Sequence, residues 1–324
     1  MCSEHSAQRG DNQKVISYTY YINTQSQKRA DKMKYFEGIS KILEILPSTY
    51  NGWTMRLYHD LNPNDEQHEK LCQIACANSN IDLCNAKNIP ALGDVSSMFP
   101  KNWRFLPMMD PQAQCLKIPQ KVSFNISSET SYIYGQDRLG QKLVENAIIE
   151  NSNETFFVIF KHFAQVKYFM SRDVDAMIIE REVHAVNEWL ESNKSFHVMH
   201  DNHLHQFPMM AGLWGAKLSE LERGMSIYSF HLASASEDMW QNRDYYLLDQ
   251  EFLAEYIWPW VKFNVFHHAA HFCLDYKDTQ PFPTERQRTN ANYIGVPWMK
   301  NQTYYSKKCS IECRPKNHPD WIYC

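Results

Sequence analysis

The sequence predicts an α/β protein whose mainly parallel central sheet is flanked by helices in a Rossmann-like way. Three observations lead there. Runs rich in β-branched and aromatic residues alternate with segments whose apolar residues recur every three or four positions, which is the order strand, helix, strand, helix, strand. The same alternation resumes after Asp175. With 324 residues, 44% of them hydrophobic, the chain has ample material for one large core.

Taken in order, "MCSEHSAQRGDNQK" is polar, and residues 1–13 are expected to be a disordered start. "KVISYTYYIN" (Lys14–Asn23) has the composition of a buried first strand. In "ADKMKYFEGISKILEIL" the residues Met33, Phe36, Ile39, Leu43 and Leu46 share a helical face, and Pro47 is read as the stop. "TMRLYHDL" is a second strand, Glu66 to Cys76 a helix and "IDLCNA" a short strand. "FPKNWRFLPMMD" (Phe99–Asp110) follows as a helix, and "VKYFMSRD" (Val166–Asp173) as the strand it feeds. Between them, residues 113–165 are too long for an ordinary connection and are read as an insertion with a helix around Leu139–Glu150. Beyond Asp175, Ile179, Val183, Val186 and Leu190 lie on one helical face. "SFHVMHD" is a strand, "FPMMAGLWGAK" a glycine-punctuated turn region, "DYYLLDQEFLAEYIWPWV" a helix and "NVFHHAAHFC" the last strand. The domain is set at 14–275, with 276–324 a loop and a cysteine-rich tail.

Lys and Arg number 33 against 37 Asp and Glu, a formal charge of -4 that argues against a general grip on nucleic acid or anionic lipid. No apolar stretch reaches the roughly 18 residues of a membrane span. Cys309, Cys313 and Cys324, and Cys72, Cys76 and Cys84, are disulfide candidates in an oxidising compartment and buried thiols in a reducing one. Sequons at Asn125, Asn153, Asn193 and Asn301 favour the secretory pathway by a narrow margin, because an Asn-rich chain makes sequons by chance.

The chemistry-bearing residues begin with Asp173 and Asp175. An Asp-x-Asp pair at the end of a sheet strand offers two hard oxygen ligands where open α/β sheets bind their ligands. An Asp at that position also suits the start of a helix. His267, with His268 and His271 nearby, is a candidate third ligand, and "LLDQEFL" places Asp249, Gln250 and Glu251 at a helix start.

In this order, "WRFLPMMD", "SRDVD", the Gly/Trp turn, "DQEFL" and the late histidine resemble the nucleotide-sugar-dependent glycosyltransferases of the GT-A fold. The chain resembles more closely a group of uncharacterised glycosyltransferase-like proteins sharing motifs of the form SRDxD, GxWG and DQxFL, over about Tyr18 to Gly295 without the insertion. The resemblance implies that Asp173, Asp175 and His267 hold Mn2+ or Mg2+, and through it the diphosphate of a UDP- or GDP-sugar. It implies that Arg104 and Arg172 approach donor phosphate or ribose, that Tyr20, Tyr21 and Asn23 line the base pocket, and that Arg286 closes over the diphosphate. Asp249, Gln250 and Glu251 would sit beside the anomeric carbon, with Trp214 and Asp201 towards a carbohydrate, glycoprotein or small-molecule acceptor. Two positions depart from the pattern: "MHDNH" stands where "MRDHP" is expected, and His267-His268-Ala269 stands where His-Asp-Ser is common.

Two rival readings come from the residues. "HVMHDNHLH" could hold zinc through His200, His203 and His205, with Asp201 orienting a water for hydrolysis, although it lacks a helical H-E-x-x-H spacing. Alternatively, the chain is a carbohydrate-binding relative without catalysis.

Overall fold

The computed structural model describes residues 3–21, 29–89, 93–109, 132–136, 142–146, 148–152, 155–159, 166–218, 247–276, 278–286, 293–298 and 307–324. Its centre is a seven-stranded sheet in the order β3-β2-β1-β8-β10-β9-β11. The strands are β1 (Gln13–Tyr20), β2 (Trp53–His59), β3 (Ile81–Asn85), β8 (Val166–Ser171), β9 (Phe196–His200), β10 (Trp214–Lys217) and β11 (Val265–Ala269). All pair in parallel except β10, which runs against both β8 and β9. The fold class is therefore α/β with a mostly parallel mixed sheet.

β1 lies in the interior of the sheet because its residues are apolar on both faces. Val15 packs with Phe169, Trp103, Phe105 and Trp214 on one side. Its neighbours Ile16, Tyr18 and Tyr20 pack with Met55, Leu57 and Met170 on the other, the period of two that a pleated strand imposes. The second side is covered by α2 (Arg29–Thr49), which buries Phe36, Ile39, Leu43 and Leu46. The helix does not stop at Pro47 but runs on to Thr49. A proline so near the end removes one N–H, and the Tyr50 N–H still bonds to the Leu46 carbonyl at 2.9 Å. α2 also presses on the turn after β8, where a Cβ on Gly38 would strike the Val174 carbonyl.

α3 (Glu66–Ala77) precedes β3 as expected, with Lys70 and Glu66 paired at 2.6 Å one turn apart. The segment Pro100–Met109 is a 3-10 helix, with Pro107 inside it depriving the ladder of a donor. It buries Trp103, Phe105, Leu106 and Met108 and packs on β1 and β8. α4 (Glu180–Glu191) turns Ala185, Val186 and Trp189 inward, while Val183 and Leu190 of the expected stripe are only partly buried. α5 (Leu248–Phe252), a π turn (Leu253–Ile257) and α6 (Trp258–Val261) replace the single helix expected there. Pro259 has no N–H to return to Glu255, so the hydrogen-bond ladder widens just before it.

Four expectations are corrected. The glycine-punctuated turn at 207–217 ends in a true strand, β10. A Cβ on Gly215 would lie 2.7 Å from the Phe169 carbonyl and 3.0 Å from the Trp189 ring, so glycine there permits a close strand approach rather than a turn. Within the insertion, β5 (Lys142–Asn146) pairs antiparallel with β4 (Tyr132–Gln136), and β6 (Ile148–Ser152) pairs likewise with β7 (Thr155–Ile159), in place of a helix over 139–150. The β-branched and aromatic content of "YIYGQ" and "TFFVI" favours strands. The polar start is ordered into α1 (Glu4–Gln8), capped by Ser3, and Arg9 reaches the buried Asp82 at 2.7 Å. Finally, Cys72 and Cys76 are free thiols.

The tail is stapled as its cysteines foretold. Cys309 joins Cys324, and Cys313 joins Cys273 beyond β11, with Cα separations of 6.0 and 5.5 Å. Cys84 is disulfide-bonded as well. The tail cysteines pack with Met199, Leu213, Ala270, Phe282 and Ile294 in a third cluster beside β9 and β11.

Candidate functional site

The order of the strands in the chain reverses at β1, which has β2 on one side and β8 on the other. In open α/β sheets that reversal opens a crevice at the carboxyl ends of the strands. Here that switch point lies between Tyr20 and Tyr21, ending β1, and the Ser171-Arg172-Asp173 exit of β8, and it is called the crevice below. The Arg172 N–H bonds to the Ser17 carbonyl at 3.1 Å, holding the exit in register.

Arg104 is the central group. The 3-10 helix carries it over β1 and β8, its side chain is 5% exposed, and it joins two acids from distant parts of the chain. Its Nη1 donates to Asp173 Oδ1, and its Nη2 donates to Asp249 Oδ2 at 2.6 Å. Asp249 is 4% exposed and Asp173 49% exposed, so one carboxylate is locked inside and the other faces outward. Gly212, in the loop entering β10, backs Asp173: a Cβ there would lie 2.8 Å from its Cγ.

The two acids titrate in opposite directions. Desolvation pushes Asp173 up, but Arg104, with Lys101 and Arg172, outweighs it and holds the carboxyl below its usual range. Burial raises Asp249, and Arg104 and Lys101 only partly offset it. Lys101 sits one 3-10 turn before Arg104; burial lowers its pKa while Asp249, Asp173 and Asp175 pull it up. Among the described residues, Asp173 and Asp249 share the Arg104 guanidinium, and Asp175 acts with them on Lys101. Two buried polar atoms here, Arg104 Nε and Gln250 Oε1, have no hydrogen-bond partner.

Of the residues expected at the site, Arg104, Asp173 and Asp249 come together here; Asp175 acts electrostatically on Lys101, and the Gln250 N–H donates to Asp249 Oδ1 at 3.1 Å. Glu251 lies on the same turn of α5, partly buried. Tyr21 borders the crevice, edge-on to Trp103 with ring centroids 6.4 Å apart. Tyr20 is 2% exposed and packs on Phe36, and Asn23 lies outside the described residues. Arg172 is enclosed: it pairs with Glu182 at 2.6 Å and donates to the carbonyls of Ser171 and Trp214. Trp214 is fully buried between Phe105 and Phe169.

Asp201 and Arg286 serve the tail. The Asp201 carboxylate takes Arg181 at 2.9–3.1 Å and the Ile294 N–H at 2.9 Å, and Arg286 donates to its main-chain carbonyl. His267 is buried and hydrogen-bonded to His200 at 2.5 Å, and does not join Asp173 and Asp175. His200 Nε2 lies 2.7 Å from the Phe207 carbonyl and must donate to it, so His200 Nδ1 accepts from His267 Nε2 and both rings are neutral. Burial draws both below the ordinary histidine range. His205 Nδ1 accepts from the Asp201 N–H at 3.2 Å, so the histidines of the zinc reading are committed to different partners.

Among the described residues, no three His, Cys, Asp or Glu side chains are grouped to hold a metal. Asp173 and Asp175 nevertheless suit a hard cation of the Mg2+ type, which commonly takes one or two carboxylates and completes its shell with water and phosphate. Sequence reasoning overlooked Lys101 and Gly212. The three-residue spacing of Lys101 and Arg104 was the available signal for the first, and the second had none. No protein-family model, curated protein or solved structure matches this chain.

Proposed function

We propose that the crevice is the donor site of a glycosyltransferase of GT-A type, which moves a sugar from a nucleoside diphosphate to a hydroxyl acceptor. The observation that carries this reading is Arg104, which ties a half-exposed Asp173 to a buried Asp249 at the switch point of a parallel sheet. The motif resemblance and the reversed strand β10 support it as well.

In this reading Tyr21, backed by the buried Trp103, borders the base, and Arg104 Nε and Gln250 Oε1 are the donor and acceptor for sugar or phosphate oxygens. Asp173 and Asp175 hold the divalent cation, which when bound neutralises charge on the departing diphosphate. Lys101 adds a positive charge next to them. Arg104 keeps Asp173 ionised and aimed outward. Asp249, its carboxyl raised by burial, is suited to exchange a proton near the anomeric carbon.

Thermal-shift titration of UDP- and GDP-sugars with and without Mn2+ tests the reading, because a ligand that selects the folded state raises its apparent stability. The expected result is a Mn2+-dependent shift with one nucleotide class, lost in Asp173→Asn. A wild-type-sized shift in that variant would remove Asp173 from the site, and no shift with any sugar nucleotide would overturn the function.

A further inference from the structure

A second cluster lies beyond β10 from the Arg104 crevice, where β9 and β11 end. Arg286 is buried there, its side chain 2% exposed. Its main-chain N–H is fixed by the Tyr323 carbonyl at 2.9 Å, and its Nη1 donates to the Asp201 carbonyl. Its Nη2 lies 3.3 Å from His271 Nε2, which must accept, so the His271 proton sits on Nδ1. Arg286 Nε has no hydrogen-bond partner among the described residues. The nearest carboxylate oxygen, of Asp201, is 3.8 Å away and already bonded to Arg181, so two guanidinium groups share one side-chain carboxylate. The other N–H groups of Arg181 go to the main-chain carbonyls of Thr284 and Cys324.

The surface side of this buried charge is also basic. The His203 ring stands edge-on to His271 with centroids 6.2 Å apart, and both rings are partly exposed. Burial lowers both imidazoles, and the charges of Arg286 and the exposed Lys307 lower them further; Asp201 opposes this at His271. His271 thus touches both the buried guanidinium and the His203 ring, and Lys307 is near enough to act on both imidazoles. A buried guanidinium with an idle N–H is costly unless an acceptor meets it.

We propose that His203, His271, Arg286 and Lys307 form a binding site for an oxyanion, the shared chemistry of phosphate, sulfate and carboxylate groups. A charge-assisted bond from Arg286 would anchor it, with the imidazole N–H groups and Lys307 closing around it. The site is separate from the proposed donor crevice and stands or falls without it.

Calorimetric titration of the full-length chain with inorganic phosphate, sulfate or acetate, at ionic strength fixed with chloride, tests this. Saturable binding is expected, with affinity falling about tenfold, or about 1.4 kcal/mol, in His203→Ala/His271→Ala and in Lys307→Glu. The order among the three anions separates a phosphorylated or sulfated ligand from a carboxylic acid. In the unmodified protein, phosphate should move the imidazole NMR resonances of His203 and His271 and leave those of His200 and His267 in place. That measurement needs no variant to fold. No saturation beyond chloride, unmoved His203 and His271 resonances, or wild-type affinity in both variants would overturn the proposal.

Discussion

Replacing Arg104 by methionine keeps most of the side-chain volume and removes the charge between Asp173 and Asp249. Asp173 is half exposed and water can replace its partner, so its share of the loss is small. Asp249 is 4% exposed and must either remain an uncompensated buried anion or take up a proton. The second route sets a ceiling: protonating a carboxylate with an ordinary pKa of about 3.9 at pH 7 costs about 4 kcal/mol. Burial already places the folded Asp249 pKa above its unfolded value, and losing Arg104 moves it further up. The folded variant then binds a proton that the unfolded chain releases. Between pH 7 and the wild-type folded pKa of Asp249 its deficit against wild type therefore shrinks by up to about 1.4 kcal/mol per unit as pH falls, and it is nearly gone once pH is below that pKa. Urea unfolding of wild type, Arg104→Met and Arg104→Met/Asp249→Asn at several pH values measures this. A deficit that does not change with pH, or that Asp249→Asn fails to relieve, would refute the assignment of Asp249 as the buried partner.

Three more outcomes follow from the same geometry. Gly212→Ala pushes a methyl group into the Asp173 carboxylate; it should cost about 1–3 kcal/mol by overpacking and remove any sugar-nucleotide thermal shift, and retention of the full shift would show that Asp173 is not positioned from behind. His59 and His200 are held at about 4 and His205 at about 3, mainly by burial, so the unfolded chain binds protons first and stability is lost as pH falls from about 6.5. Each should cost about 1–2 kcal/mol between pH 7 and pH 5, read as a lower urea midpoint, and a midpoint flat across that range would contradict neutral burial. Cys309→Ala/Cys324→Ala opens a loop spanning 15 residues and should lower stability by about 3 kcal/mol, with hydrogen exchange rising first at Arg286 and Ile294; unchanged exchange there would mean the tail does not hold Asp201.

Much of the architecture was legible because its signals are local. Alternation along β1, the helical stripe of α2 and the apolar exit of β8 each follow from neighbours within a few residues, and each element formed within a few residues of its expected bounds. β10 was not legible: four residues containing a glycine carry no usable periodicity, and Gly215 is explained by the Phe169 carbonyl and the Trp189 ring opposite it. The site divides the same way. Asp173, Asp249 and Arg104 were picked out by type and order. That one guanidinium joins both acids depends on contacts 69 and 145 residues apart, which no spacing encodes. Arg172 and Asp201 looked equally available in the sequence, and their enclosure comes from Glu182 on α4 and Arg181 beside it. Charged side chains reveal chemistry by kind, whereas their freedom to act is decided by who sits next to them.

The reversed direction of β10 has an effect on the edge where ligands would sit. The six other strands of the sheet deliver chain to that edge, but β10 draws chain in from it, so the segment at Met209–Leu213 arrives from the opposite sense and supplies Gly212. That segment is tied to both flanking strands, by Ser171 Oγ to the Ala211 carbonyl at 2.6 Å and by the Met199 N–H to the Leu213 carbonyl at 3.1 Å. Its buried Met209, Ala211 and Leu213 seat it in the core, and the absence of a side chain at Gly212 leaves room for the Asp173 carboxylate, so the incoming chain fixes where that acid stands.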